Sequence, residues 1–293
     1  MLDPAGRPSI GGPAPTELSV PSDGVQLSGE QHGQGATVVL LHGLTATRRY
    51  VVMGSRTLER GGHRVIAYDA RGHGRSTPAP GRAYGYEHLS GDLAAVLDAA
   101  GVERAVLAGA SMGGQTAVRF ALEHPERIAG LAIITPAYDP TAPITSEQLA
   151  RWDALAHGLR SGGVEGIVQA YDLAAVPEAW RATVETVLRQ RLAAHEHPQA
   201  VADALEVVPR SQPFKEMGEL SAIRAPTVVV ASRDEADPGH PLEVGERYAR
   251  AIRGAELVVE EIEGGDGRAL SPIAWQGGRL SRVIEQLVAR ADT

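Results

Sequence analysis

Ser111 stands in the run Gly109-Ala110-Ser111-Met112-Gly113-Gly114, a Gly-x-Ser-x-Gly pattern. A serine hydroxyl raised on a tight turn between a strand and a helix is presented for attack on a carbonyl carbon. The tetrahedral oxyanion that results needs two preorganised donors, which backbone N–H groups supply without polar side chains. The hydroxyl also needs a base within hydrogen-bond reach, since an alcohol is a poor nucleophile near neutral pH. The chemistry offered is therefore acyl transfer. A glycine-rich turn that happens to contain a serine would carry the same letters, so the surrounding chain has to choose between the two.

The flanking residues predict the elements that such a serine needs. Ala105 to Ala108 is an apolar run of strand length, and Ala117, Phe120 and Ala121 recur at helical spacing after the turn. Further apolar, β-branched runs occupy 37–41, 64–68, 131–135, 227–231 and 256–260, alternating with helical patterns over 50–60, 89–97, 242–252 and 280–289. Two short strands, 17–20 and 25–27, flank the turn Pro21-Ser22-Asp23-Gly24. The alternation predicts an α/β fold, a mostly parallel sheet flanked by helices on both faces. It breaks from Thr141 to Ala225, where Leu149, Trp152, Leu155 and Leu159, then Trp180, Val184, Val187, Leu188 and Leu192, describe helical faces with no strand between them. That stretch reads as a helical insertion.

Composition narrows the function classes. The chain of 293 residues has no cysteine, which excludes disulfides, thiolate metal sites and a cysteine nucleophile. Its 28 basic and 36 acidic residues give a net charge of -8 without a basic run, which argues against nucleic acid or an anionic membrane as partner. Met1 to Pro15 is rich in Gly and Pro and has neither the charged nor the apolar region of a signal peptide, and no stretch reaches membrane-spanning length. A cytoplasmic protein acting on a small molecule is expected. No phosphate loop, dinucleotide fingerprint or metal-ligand cluster is present, so neither a cofactor nor a metal is expected.

Taken together, Leu41-His42-Gly43-Leu44, the run Asp69-Ala70-Arg71-Gly72-His73-Gly74-Arg75-Ser76, the Ser111 turn and Pro226 to Asp234 resemble the α/β-hydrolase fold superfamily in order and separation. The resemblance covers nearly the whole chain from residue 17. It implies a leader over 1–16, a core over 17–140 and 226–293, and a helical cap over 141–225. It also implies Ser111 as nucleophile and the backbone N–H groups of Leu44 and Met112 as the oxyanion hole. Asp234 matches the triad acid, with Asp237 as near competitor and Asp139 at a position some members use instead.

One expected part is missing. The family's base is a histidine after the last strand, but the loop 261–272 has none, and no histidine follows His240. His240, on the loop after Asp234, is the first substitute; it could equally be an exposed residue capping the helix from Pro241. His42 and His73 lie in motifs where the family's histidines are structural. His195 and His197 sit in the insertion, which could lower one of them toward Ser111; two apart on a helix they do not form a metal pair. Glu263 or Asp266 could act as a carboxylate base if burial raised its pKa. The expected function is an esterase-like hydrolase using Ser111, Asp234 and His240 on a small, largely apolar ester, lactone or amide. The alternative is a non-hydrolytic member of the same fold, a lyase, cyclase or binding protein. Arg151, Arg160 and Arg181 in the insertion could meet an anionic group or simply face solvent.

Overall fold

The computed structural model describes residues 15–233, 237–261 and 271–291. The first two strands, β1 (Thr16–Ser22) and β2 (Val25–His32), pair antiparallel about Asp23 and Gly24. Both turn residues have positive φ, 36° and 77°, which matches the twist of the flanking strands. β3 (Thr37–Leu41) follows. The helix expected over 50–60 is only a 3₁₀ turn at Arg48–Tyr50 and a single turn, α1 (Thr57–Arg60). Met53 and Gly54 take φ of 49° and 71°, in the left-handed region, and break the helical path between them.

The chain then runs β4 (Arg64–Tyr68), α2 (Tyr86–Ala99), β5 (Ala105–Ala110), α3 (Met112–Glu123) and β6 (Ile128–Ile134). After the helices α4 (Ser146–Ala170), α5 (Glu178–Leu192) and α6 (Pro198–Val207) the sheet resumes with β7 (Thr227–Ala231), α7 (Leu242–Ala251), β8 (Glu256–Val259) and α8 (Gly277–Ala291). The eight strands lie in the order β1-β2-β4-β3-β5-β6-β7-β8, parallel from β4 through β8 with the hairpin added antiparallel at one edge.

Strand alternation divides the core. Val39 and Leu41 face one side, with Leu93, Phe120 and Tyr248 from α2, α3 and α7. Val38 and Leu40 face the other, with Leu58, Leu280, Ile284 and Leu287 from α1 and α8. Both faces being covered explains why the parallel strands read as unbroken apolar runs.

The helices between β6 and β7 build a third cluster. Ala156, Leu159, Ile167, Leu188, Leu192, Val201 and Leu205 pack together with Leu44, Tyr84, Leu89 and Met112 of the sheet layer. The insertion thus rests on the two residues that flank the serine turn, beyond the carboxyl ends of β3 and β5. α4 folds back on itself at Gly163, whose φ of 58° and ψ of -141° end one helical segment and start another. Among the described residues no helix is long and apolar enough to cross a membrane.

Candidate active site

Ser111 joins β5 to α3 with φ 50° and ψ -114°, a conformation that a side-chain-bearing residue adopts only when its surroundings enforce it. Three features enforce it. The Ser111 N–H donates to Ile134 O of β6 at 2.9 Å, and its carbonyl accepts from Gln115 N at 3.0 Å. A Cβ on Gly109 would run into the Gly113 carbonyl, and one on Gly113 into the carbonyls of Leu41 and His42. The glycines of the motif are therefore required by close backbone approach. Gly43 passes so near that a Cβ there would stand 3.5 Å from Ser111 Cβ.

Two N–H groups border this turn. Met112 is the first residue of α3, so its N–H has no partner within the helix and carries the positive end of the helix dipole. Leu44 follows Gly43, whose carbonyl accepts from His42 Nδ1 at 2.8 Å and from Ala46 N at 3.0 Å. A trans peptide points its N–H opposite to its C=O, so anchoring the Gly43 oxygen sets the direction of the Leu44 N–H.

His240 comes from the loop between β7 and α7. Its Nε2 lies 2.9 Å from Ser111 Oγ and its Nδ1 lies 2.8 Å from Asp237 Oδ1. A carboxylate can only accept, so the proton sits on Nδ1 and Nε2 is left to accept from the serine hydroxyl. Burial pushes the Asp237 carboxyl up, but His240, its hydrogen bond and the Arg191 guanidinium together outweigh that and hold it below the usual carboxylate range. Arg191, near the end of α5, stacks over the Tyr50 ring at 5.4 Å from its centroid. Burial presses its pKa down, opposed by Asp237, Tyr50 and Tyr171, and its buried Nε has no hydrogen-bond partner.

Ser111, His240, Leu44 and Met112 thus come together. Asp234 lies outside the described residues, as do Glu263 and Asp266; among the described residues the carboxylate that meets His240 is Asp237. The ring of His240 is engaged by Asp237 and Ser111, so it is not an exposed helix cap. Asp139 turns to Thr141, accepting from its N–H at 2.8 Å, and to Arg247. His195 and His197 stand in the connection between α5 and α6, not on a helix. His195 does not approach the serine but turns to Gly74 and Thr45. The three arginines singled out from the sequence bind within the insertion: Arg151 to Glu147, Arg160 to Asp203 and Glu206, Arg181 to the carbonyls of Ala174 and Val176. Arg191 is the arginine whose charge acts on Asp237, and nothing in the local sequence sets it apart from Arg189. Among the described residues no group of His, Asp and Glu side chains is arranged to hold a metal ion.

The chain is similar to known proteins. The family model for the alpha/beta hydrolase fold matches residues 36–170. The chain is 31% identical over 249 residues to a 2-hydroxy-6-oxononadienedioate/2-hydroxy-6-oxononatrienedioate hydrolase of Pseudomonas putida, covering 80% of this chain and 83% of the relative. Among solved structures, a thermophilic esterase from Thermogutta terrifontis is 26% identical with a TM-score of 0.77, covering 95% of this chain and all of that one. Est816, described as an N-acyl homoserine lactone degrading enzyme, is 27% identical with a TM-score of 0.70, covering 93% and 99%.

Proposed function

The chain belongs to the α/β-hydrolase fold superfamily, and from that premise we propose that it hydrolyses a small, largely apolar ester, lactone or amide through an acyl-Ser111 intermediate. The relatives it matches are named as hydrolases and esterases of small molecules, which supports the coarse class. The finer reading rests on one observation. His240 Nε2 is 2.9 Å from Ser111 Oγ, inside the ~2.6 to 3.2 Å expected of a working base and nucleophile.

In the proposed reaction Ser111 Oγ attacks the carbonyl carbon while His240 Nε2 takes its proton. Asp237 holds the imidazole by Nδ1 and stabilises the imidazolium that forms. The negative charge on the carbonyl oxygen is received by the N–H groups of Leu44 and Met112. His240 returns its proton to the departing alcohol or amine oxygen or nitrogen, and the acyl group stays on Ser111. Water, deprotonated by the same imidazole, then attacks the acyl carbon, the bond to Ser111 Oγ breaks as His240 returns that proton to the oxygen, and the acid is released. We read 141–225 as a cap over a core of 17–140 and 226–293, because its helices pack on Leu44 and Met112 and would roof the substrate with apolar side chains.

The test is covalent labelling with a fluorophosphonate probe. The parent should label, and Ser111→Ala and His240→Ala should both lose labelling. No labelling of the parent would sink the reading in favour of a non-hydrolytic role. Loss in Ser111→Ala alone would move the base away from His240.

A further inference from the structure

Three consecutive carbonyls, those of Gly43, Leu44 and Thr45, each meet a different imidazole. His42 Nδ1 lies 2.8 Å from Gly43 O, His73 Nε2 lies 2.6 Å from Leu44 O, and His195 Nε2 lies 3.2 Å from Thr45 O. The rings form a buried cluster, His42 and His73 tilted at 54° with centroids 5.2 Å apart and His195 edge-on to His73 at 75° and 5.5 Å. Partners on the far side assign the protons of the outer two rings, whereas His73 faces a carbonyl at each nitrogen, Arg71 O at 2.9 Å and Leu44 O at 2.6 Å, and when neutral donates to one of them. Ala70 N–H donates to His42 Nε2 at 2.9 Å, so His42 carries its proton on Nδ1 and donates to Gly43. Gly74 N–H donates to His195 Nδ1 at 2.8 Å, so His195 carries its proton on Nε2 and donates to Thr45.

The origins of the rings differ. His42 ends β3 and His73 belongs to the loop after β4, so both are internal to the sheet layer. His195 comes from the helical insertion, which is sewn to the same loop by a second bond, Glu196 N–H to Gly74 O at 2.9 Å. The Leu44 N–H shares its peptide plane with Gly43 O, which accepts from His42 Nδ1 and from Ala46 N–H at 3.0 Å; that Ala46 N–H shares its own plane with Thr45 O, so holding Thr45 O aims one of the two donors that fix Gly43 O.

We propose that His195 is a positioning residue: through its bond to Thr45 it lets the seated insertion hold the Leu44 N–H in the direction an oxyanion requires. This rests on the reading of Leu44 as an oxyanion donor. The substrate's roof and its charge-stabilising donor are thereby linked, so the site is complete only with the insertion docked at Gly74. Losing one oxyanion donor outright costs ~10² to 10³ in kcat, and misdirecting one costs less.

The experiment compares His195→Phe, His195→Asn and His195→Gln in the full chain, with p-nitrophenyl acetate as substrate. Phenylalanine keeps the ring packed on His73 but removes both bonds, asparagine keeps an acceptor for Gly74 but is too short for Thr45, and glutamine can donate to Thr45. Expected are kcat losses of roughly 10- to 100-fold for Phe and Asn with KM within about threefold, and recovery of most of the rate by Gln. Affinity for a trifluoromethyl ketone, whose hemiketal oxygen occupies the oxyanion position, should fall in step with kcat/KM. Arg82→Ala is the control, because it cuts ion pairs from the sheet layer to Asp203 and Glu206 of the insertion without touching residues 43–45. It should lower thermal stability and leave kcat within about twofold. Unchanged kcat in His195→Phe, no rescue by Gln, or an equal kcat loss in Arg82→Ala would overturn the proposal. The Leu44 amide resonance, which should move in His195→Phe and not in Arg82→Ala, decides it without any turnover. A parent that hydrolyses and labels nothing would instead overturn the function proposed above.

Discussion

Asp237 and His240 are the two ends of one turn: His240 N–H donates to Asp237 O at 3.1 Å while the His240 ring donates to the Asp237 carboxylate at 2.8 Å. Pro238 and Gly239 fill the middle, and Asp followed by Pro is favourable chemistry at the first two positions of such a turn. The carboxylate and the imidazole are therefore oriented by four consecutive residues, and the imidazole meets Ser111 Oγ at 2.9 Å. In the arrangement expected from the family they would come from two different loops.

The proposed reaction takes Asp237 as its acid, on the bond between its carboxylate and His240 Nδ1. Asp237→Asn should keep the fold but lower kcat/KM about 10³- to 10⁴-fold, because an amide no longer selects the Nδ1–H tautomer. Asp234→Asn should stay within about tenfold of the parent. Steady-state kinetics on one ester substrate checks both, and the reverse ranking would return the role to Asp234.

Gly113 meets the carbonyls of Leu41 and His42, backbone atoms of a central strand that cannot swing aside. Gly113→Ala is expected to destabilise the protein by about 1 to 3 kcal/mol and to remove activity with it, since the strand end must shift. Urea denaturation with a parallel labelling assay reads both effects. An alanine variant as stable and as reactive as the parent would contradict the packing described for this turn.

Acid should weaken the fold through the buried cluster of His42, His73 and His195. Burial is the main cause holding His42, His73 and His195 below the ordinary imidazole range, with His195 brought from 6.5 to about 4. The unfolded chain thus binds more protons than the folded one between those two values. Stability is complete above pH 6.5 and declines as pH falls toward 4. His195 alone would account for about 2 kcal/mol between pH 7 and pH 5. Urea midpoints at the two pH values measure the slope, which should flatten in His195→Gln.

Arg191 is a buried cation with an unpartnered Nε, and its charge helps to keep Asp237 ionised. Arg191→Met, of similar length and no charge, should leave stability unchanged or raise it by about 1 kcal/mol. The acid limb of kcat/KM should move to higher pH, because Asp237 loses one of the charges holding its pKa down. Thermal melts and a pH–rate profile test the two halves separately.

Much of this protein could be read from its residues in order. The parallel strands were visible because burial on both faces leaves them continuously apolar, as in Thr37 to Leu41 and Thr227 to Ala231. The Ser111 turn was visible because close backbone approach admits only glycine at 109 and 113. Where a local element failed, between Tyr50 and Arg60, the cause was a left-handed break at Met53 and Gly54 that apolar spacing does not reveal.

What the tertiary structure decided is which of several titratable side chains stand together. Ten histidines are present, and the place of His240 after Asp234 made it the first candidate, but only the packed structure brings its ring to Ser111, 129 residues away, and turns His195 toward Thr45 instead. The same holds for Arg191, indistinguishable in sequence from neighbouring surface arginines until the insertion lies over the sheet. Turns and strands are set by interactions between near neighbours, so residue types and spacing suffice to predict them. A catalytic constellation is a set of distances between remote segments, and those distances exist only once the layers have packed.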